Sequence, residues 1–241
     1  MRIVDCSETG LPPCAMRAAS LNAPAPVEIA SEHEMDLYID DRFALHMVCT
    51  PEHLAELAAG HLVTEGWARQ REDIRSIEIG AGGLRADVTL ANGPAAPQEF
   101  PAITPQPWEE SWLRRAAERM RGEEPLYSRT HAVHGCYLGR GDELLCCRED
   151  VGRHNAIDKA VGYALIQSID RAECYLFTTG RMPADMVLKA ARAGIPLMAS
   201  KTYPTNEGIA LAERAGVTLV TLRPNGFLLV WTDGTERKEH K

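Results

Sequence analysis

The strongest constraint on the fold is a regular alternation of apolar strands and amphipathic helices late in the chain. From residue 174 onward the sequence contains, in order, CYLFTT, ADMVLKAARAG, IPLMAS, NEGIALAERAG and VTLVTL. Short strands that are almost wholly apolar, separated by helices, are typical of buried parallel strands joined by right-handed crossovers. The sequence therefore predicts an α/β fold, a layered sheet with flanking helices.

A hairpin precedes this alternation and belongs to the same predicted sheet. Its strands, AVHGCYL and ELLCCRE, flank a turn at 139–142, and a helix is predicted over 153–168. The predicted core face of this helix consists of Ala156, Ile157, Ala160, Val161, Ala164 and Leu165.

The first half of the chain has a different pattern, which predicts strands and one helix. VEI, MDLYIDDRFALHMV and SIEIGAGGLRADVTLANG are strand-like, while TPEHLAELAAGHLVTEG is a helix with Thr50 as N-cap, Pro51 at its first position and Gly66 as C-terminal cap. Residues 91–107 hold five prolines and no period. We predict a loose arm at 1–25, a smaller mostly β subdomain at 26–107 and an α/β core domain at 108–235.

Charge and cysteine content exclude several classes of function. The 34 acidic and 26 basic residues give a formal charge of −8, so most of the surface repels nucleic acid and a small anionic ligand is favoured. The seven cysteines include no CxxC pair, which argues against a disulfide framework or a structural zinc. No run of about 18 apolar residues occurs. We expect a soluble cytoplasmic protein without zinc, membrane or nucleic-acid partners.

Polar residues follow three predicted strands at their carboxyl ends, where α/β proteins gather ligands. The three corners are REDVGRHNAIDK, in which a helix begins after Gly152, TTGRMPADM and ASKTYPTNEG. A helix N-terminus, hydroxyls and cationic side chains favour an anion, and we expect one phosphate-binding pocket at this edge of the sheet. The candidate donors are Arg153, His154, Asn155, Lys159, Thr178, Thr179, Gly180, Arg181, Lys201, Thr202, Thr205 and Asn206.

Each corner also has an ordinary structural interpretation, and the residues alone leave it open. Asp158 and Lys159 could be a surface pair on a solvated first turn of helix. The second corner could be a plain loop capped by threonine. Metal chemistry is not expected, because His131 and His134 lack the glutamate and the PCxxC run of the zinc deaminases.

The run EDVGRHNAIDK resembles the most distinctive motif of the FdhD family, the formate dehydrogenase accessory sulfurtransferases. Further similar segments follow in the family's order, namely PVEI, TPEHLAELAAGHLVTEG, THAVHGC, TTGRM, KAARAGIPLMASKTYPTNEGIALAERAGVTLV and LLVWT, so that the resemblance covers residues 26–232. It implies a cytidine-deaminase-like fold without the deaminase zinc, and a homodimer.

The resemblance also implies a function. Family members accept sulfur from a cysteine desulfurase and pass it to the molybdenum bis-guanine-dinucleotide cofactor, for which guanosine diphosphate is a surrogate, before formate dehydrogenase or another molybdoenzyme receives it. The loop at 222–227 would help to hold the cofactor, although Pro224, Asn225 and Phe227 depart from the family's basic, glycine-rich pattern. The implied cofactor-binding residues are His134, Arg153, His154, Asn155, Asp158, Lys159, Thr179, Gly180, Arg181, Lys201, Thr205, Leu222, Arg223, Pro224, Asn225, Gly226 and Phe227.

A larger departure concerns the thiol. The resemblance leads us to expect a CGxCG-like loop whose first cysteine bears a persulfide, yet residues 91–107 contain no cysteine. Only a thiolate carries sulfane sulfur by exchange, so either another thiol substitutes or sulfur transfer is lost. Cys136 is the first candidate for a substitute catalytic thiol, with Cys146 and Cys147 behind it, and we favour loss. The alternatives are a chaperone that binds the cofactor without chemistry and, more distantly, a nucleotide-processing enzyme of deaminase ancestry.

Overall fold

The computed structural model describes residues 1–7, 12–18, 26–93, 99–123 and 125–235. In the first half of the chain the elements are β1 (Arg2–Asp5), β2 (Ala15–Ala18), β3 (Val27–Ala30), β4 (His33–Ile39), β5 (Arg42–Cys49), α1 (Leu54–Thr64), β6 (Ile74–Ile79) and β7 (Arg85–Leu90). A five-stranded sheet has the order β1-β6-β7-β4-β5, and β2 pairs with β3 in a separate two-stranded sheet.

The second half of the chain forms a six-stranded sheet and most of the helices. Its elements are α2 (Glu110–Glu123), α3 (Pro125–Thr130), β8 (His134–Arg140), β9 (Glu143–Asp150), α4 (Arg153–Ile166), β10 (Tyr175–Thr178), α5 (Ala184–Arg192), β11 (Leu197–Ser200), α6 (Asn206–Ala215), β12 (Thr218–Leu222) and β13 (Leu228–Thr232). The sheet has the order β13-β12-β11-β10-β8-β9. Its strands β10, β11 and β12 are parallel, so the predicted α/β alternation is confirmed. None of the described helices has the length and apolar surface needed to cross a membrane.

Both faces of the six-stranded sheet are covered by helices, because its strands alternate their side chains between two apolar layers. Cys136, Leu176 and Met198 belong to the layer that contains α4, α5 and α6. Tyr137 and Phe177, each next in sequence to one of these, belong to the layer that contains α2. The predicted core face of α4 is buried throughout, as expected.

The two large sheets share one apolar core, in which α1 packs directly on α4. The two helices approach through a pair of glycines. A Cβ added to Gly60 would lie 1.7 Å from the carbonyl oxygen of Asp158, and one added to Gly162 would lie 1.8 Å from the carbonyl oxygen of Glu56. This contact fixes the first half of the chain against the helix that carries the EDVGRHNAIDK motif.

Two predictions for the first part of the chain are wrong. The segment 1–25 is not simply a loose arm, because it contributes β1 and β2, although residues 8–11 and 19–25 lie outside the described ranges. Helix α1 begins at Leu54, not after Thr50, and its N-cap is His53, with a φ of 57°. Thr50 is buried and bonded to side chains of the second half instead. The C-terminal prediction is confirmed, since Gly66 adopts a φ of 82° just after the helix.

Candidate functional site

The three predicted corners lie along one edge of the six-stranded sheet. His134 begins β8, while Thr179, Lys201 and Arg223 directly follow β10, β11 and β12. β10 pairs with β8 on one side and with β11 on the other, and β11 pairs with β12. These residues are therefore neighbours across the carboxyl ends of the parallel strands.

Arg153, at the start of α4, reaches this edge beside Gly180. A Cβ added to Gly180 would lie 3.0 Å from the Cβ of Arg153, so the glycine leaves room for the arginine side chain. The Nε of Arg153 is buried and has no hydrogen-bond partner in the part of the chain that the structure describes. His134 Nδ1 lies 3.3 Å from the Thr179 hydroxyl, and burial, followed by nearby Arg153 and Lys201, lowers the pKa of His134. The corner therefore carries a positive potential and a neutral imidazole.

A cavity of about 360 Å³, which we call the sheet-edge cavity, opens beside these strand ends. Its walls come from α2, α3, the ends of β10 to β12 and the loop before β13. It is lined by Arg114, Ala117, Glu118, Tyr127, Ser128, His131, Phe177, Lys201, Leu222, Arg223, Pro224 and Gly226. Its volume falls within the range of about 300–1,000 Å³ that is usual for small-molecule sites.

The lining combines cations with aromatic rings. Arg114, Lys201 and Arg223 are cationic, and Tyr127 supplies a partly exposed ring, while the fully buried Phe177 forms the apolar base of the cavity. The Nζ of Lys201 lies 4.9 Å from the centre of the Tyr127 ring, so the cation stands against the aromatic surface. Such a lining suits a planar aromatic group joined to a negatively charged one.

The loop 223–227 is tied to the cavity by arginine contacts at both ends. Arg223 Nη1 donates to the carbonyl oxygen of Lys201 at 3.4 Å. Arg114 Nη2 donates to the carbonyl oxygen of Gly226 at 3.0 Å, and Gly226 has a φ of 84°, which glycine adopts without strain. The loop is thereby joined to the end of β11 and to α2.

The predicted loop residues divide into two groups. Leu222, Arg223, Pro224 and Gly226 line the sheet-edge cavity. Asn225 and Phe227 are exposed and do not line it, and Asn225 Oδ1 accepts the backbone N–H of Phe227 at 3.2 Å. Asn225 thus shapes the turn.

Arg181 and Thr205 also lie outside the cavity lining, as do the predicted residues His134, Arg153, Thr179 and Gly180. Arg181 is exposed just after Gly180. The Thr205 hydroxyl accepts the backbone N–H of Gly208 at 3.2 Å and caps α6. Its contact with the chain is therefore that of an ordinary N-cap.

Lys159 is a structural residue of the interior, contrary to the prediction that it binds a ligand. Its side chain has no exposure, and its Nζ lies 2.6 Å from Asp150 Oδ2. It also donates to the Thr50 hydroxyl at 2.7 Å and to the Thr50 carbonyl oxygen at 3.2 Å. Asn155 faces the same way, and its Nδ2 donates to Asp150 Oδ1 at 2.9 Å and to Val48 O at 2.8 Å. These contacts leave Lys159 without a donor for a ligand.

Asp158 and His154 face a different cavity, which lies between α1, β5, α4 and α5. Asp158 is buried and accepts from Lys189 Nζ at 3.0 Å and from the Thr64 hydroxyl at 2.7 Å. His154 Nε2 lies 2.9 Å from Asp185 Oδ2. Both were predicted to bind the cofactor, but the structure separates them from the sheet-edge cavity. Among the described residues, no group of His, Cys, Asp and Glu is placed to hold a metal ion.

Seven lining residues lie outside the predicted set, namely Arg114, Ala117, Glu118, Tyr127, Ser128, His131 and Phe177. Only α2 carried a local signal, because Arg114, Ala117 and Glu118 recur at positions i, i+3 and i+4 and so share one helix face. No local pattern predicts that α2 and α3 border the carboxyl edge of a sheet formed later in the chain.

None of the cysteines lines the sheet-edge cavity, although all seven lie in the described ranges. Cys136 is fully buried in the core, and burial raises the pKa of its thiol well above the usual value. Burial likewise raises the pKa of Cys146 to about 12. Cys136 is therefore a core residue, contrary to the prediction of a substitute nucleophile. Cys6, after β1, is the one exposed cysteine.

Comparison with known proteins gives a consistent result. The model of the FdhD/NarQ family matches residues 30–102 and 94–237. The sulfur carrier protein FdhD of Mycolicibacterium paratuberculosis is 30% identical, over 86% of this chain and 90% of the relative. The sulfur carrier protein FdhD of Methanothermobacter thermautotrophicus is also 30% identical, over 81% of this chain and 85% of the relative. A crystal structure from Desulfotalea psychrophila, assigned as a formate dehydrogenase accessory protein, superimposes with a TM-score of 0.82 and 32% identity, over 91% of this chain and 97% of that one.

Proposed function

The chain belongs to the FdhD/NarQ family, and we propose that it serves formate dehydrogenase maturation by binding the molybdenum bis-guanine-dinucleotide cofactor in the sheet-edge cavity. The observation that carries this proposal is the joint placement of Arg114, Lys201 and Arg223 around the ring of Tyr127. The ring suits a purine, and the cations suit its diphosphate. Each charge-assisted hydrogen bond to a phosphate contributes about 1.5–3 kcal/mol.

Glu118 supports guanine as the base. Among the described residues that line this cation-rich cavity it is the one acidic side chain, and it weakens the attraction for a phosphate. A carboxylate can accept the N1–H and N2–H of guanine, whereas adenine offers an unpaired acceptor at N1. Glu118 is therefore the residue that selects guanine over adenine in this proposal.

Sulfur transfer through Cys136 is not part of the proposed function, because a buried thiol of raised pKa supplies no thiolate. The proposal is thus cofactor binding, as a chaperone. The names of the curated relatives, sulfur carrier proteins, favour transfer as a second candidate. That candidate requires an accessible thiol, and the exposed Cys6 meets this requirement.

We also propose a fold class, an assembly state, a location and partners for this chain. The six-stranded sheet, with helices on both faces, supports a cytidine-deaminase-like description of the core domain. A homodimer, a cytoplasmic location and the partners, a cysteine desulfurase and formate dehydrogenase or another molybdoenzyme, rest on the family resemblance alone.

Calorimetric titration with guanosine diphosphate tests the cofactor site. We expect Lys201→Gln and Arg223→Gln each to weaken binding about tenfold. Arg181→Gln is the matched control, since Arg181 follows the neighbouring strand but is exposed outside the cavity. Equal weakening by the control, or no binding by the unsubstituted protein, would contradict the proposed site. Glu118→Gln should reduce the preference for guanosine over adenosine diphosphate.

The two candidate roles differ in whether a persulfide forms. Incubation with a cysteine desulfurase and free cysteine, followed by mass spectrometry of the intact protein, shows whether one sulfur atom is added. The chaperone predicts no adduct on any thiol. An adduct that disappears in Cys6→Ser would instead establish the sulfur carrier.

A further inference from the structure

A second cavity lies at the opposite edge of the six-stranded sheet, before the amino ends of β10 and β11. Its volume is about 430 Å³, and we call it the arginine cavity. Most of its lining comes from three segments, 69–72, 168–172 and 192–194. The sheet-edge cavity follows the carboxyl ends of the same strands, so the sheet separates the two.

The arginine cavity concentrates positive charge in an acidic protein. It is lined by Arg69, Arg71, Arg171 and Arg192, against Glu72 and Asp170. The formal charge of the whole chain is −8, so an excess of cations at one place runs against the overall balance. Asp170 is already engaged, because its Oδ1 accepts the backbone N–H of Ala172 at 3.0 Å. Clustered cations repel one another unless an anion joins them.

Arg171 lines the arginine cavity with a guanidinium that hydrogen bonds hold in place. Its Nε donates to the carbonyl oxygen of Ala193 at 2.8 Å, and its Nη2 donates to the carbonyl oxygen of Arg69. Burial lowers the pKa of Arg171, and the neighbouring Asp170 opposes this effect. These bonds join all three lining segments around one guanidinium.

Arg71 and Arg192 hold hydrogen-bond donors that the described residues do not satisfy. Arg71 Nη1 donates to the Ser168 hydroxyl at 3.2 Å, and Arg192 Nη1 donates to Thr64 O and Glu65 Oε2, both at 3.3 Å. The Nε of each arginine is buried and has no hydrogen-bond partner within the described ranges. Leaving a buried donor unpaired costs free energy, and such groups are rare in folded proteins.

We infer that the arginine cavity is a second anion site, which binds a phosphate group through Arg71 and Arg192. The Nε and Nη groups of a guanidinium donate side by side, which matches two oxygens of one phosphate. A tetrahedral oxyanion in the arginine cavity would offset the clustered charge of these side chains. This site does not depend on the proposed cofactor site, which lies at the other edge of the sheet.

Arginine side-chain NMR reads this site directly. The ¹⁵N–¹H correlations of the Nε groups of Arg71 and Arg192 are assigned from Arg71→Gln and Arg192→Gln, and inorganic phosphate is then titrated into the full-length protein. We expect both resonances to shift along one binding curve in the millimolar range. Each substitution should weaken binding at the remaining arginine about tenfold. A parallel titration with glycerol 3-phosphate shows whether the site prefers an esterified or a free phosphate, because the preferred ligand has the lower dissociation constant.

Arg42→Gln is the control, because Arg42 is exposed on β5 and does not line the arginine cavity. This variant should bind as tightly as the unsubstituted protein. If neither phosphate moves the two Nε resonances, or if Arg42→Gln weakens their response as much as Arg71→Gln does, the inferred site is wrong. Guanosine diphosphate binding plays no part in this readout, so the two proposals fail separately.

Discussion

Removing the Lys159 ammonium tests whether the EDVGRHNAIDK motif supports the fold or touches the ligand. The Nζ of Lys159 joins Asp150, at the end of β9, to Thr50, in the loop between β5 and α1. Lys159→Met keeps an unbranched apolar side chain in the same space. It removes the positive charge and leaves the carboxylate of Asp150 buried.

The expected loss is set by the contacts that Asp150 retains. Removing one partner of a buried ion pair costs about 3–5 kcal/mol of unfolding free energy. Asp150 keeps four donors, the backbone N–H groups of Thr50 and Gly152, the Thr50 hydroxyl and the Nδ2 of Asn155, which favours the lower end. We therefore expect a loss of about 3 kcal/mol. The double variant Asp150→Asn, Lys159→Met should lose less than the single one, because no unpaired charge remains.

Urea denaturation followed by tryptophan fluorescence measures the free energy, and calorimetry on the folded variant measures guanosine diphosphate binding. Lys201→Met makes the comparison decisive, because Lys201 lines the sheet-edge cavity and is only half-buried. It should weaken nucleotide binding with little change in stability, while Lys159→Met does the reverse. If Lys159→Met changed stability by less than about 1 kcal/mol and abolished binding, the structural role of Lys159 would be refuted.

Three further outcomes follow from the geometry. Gly162→Ala should destabilise the fold by about 3 kcal/mol in the same denaturation assay, the upper end for overpacking, because the new methyl group meets the Glu56 carbonyl. Guanosine diphosphate should raise the pKa of His134 in an NMR titration, since a bound anion offsets the nearby cations; an unchanged pKa would place the phosphates elsewhere. Burial would raise the pKa of Asp158, but Lys189 holds this pKa below the ordinary value. The ion pair therefore stabilises the fold fully above about pH 4, and this contribution is lost as the pH falls. Asp158→Asn should therefore flatten the acid limb of unfolding free energy against pH.

The parallel strands could be predicted because a strand that is buried on both faces needs apolar side chains at nearly every position. β10, β11 and β12 are nearly continuous apolar segments, and the helices between them carry their own period. The start of α1 could not be predicted in the same way. Thr50 and Pro51 form a good N-terminal signal, yet the Thr50 hydroxyl is bonded to Lys159, one hundred and more positions away, and the helix begins at Leu54 instead. A tertiary contact overrides the local cap.

Helical spacing in the sequence also predicts in part which way the side chains of the EDVGRHNAIDK motif point. Asn155 and Lys159 are four residues apart on one helix face, and both reach Asp150. His154 and Asp158 occupy the next face and reach α5 and its neighbours. Helical spacing thus divides the motif into faces, and a single ligand cannot contact all of them. What the spacing does not reveal is which face the sheet edge meets.

The motif's role in the proposed function is then positional. The buried contacts of Asp150 with Lys159 and Thr50 fix where β9 ends and α4 begins, and this point sets Arg153 beside Gly180 at the sheet edge. Buried polar networks of this kind tolerate little change, because each member satisfies the others. Side chains that line the sheet-edge cavity, by contrast, come from α2, α3 and a loop, where exposure allows many sequences. In the proposed function, the most distinctive run of the chain therefore positions the site, and the residues that would contact the ligand lie in less distinctive segments.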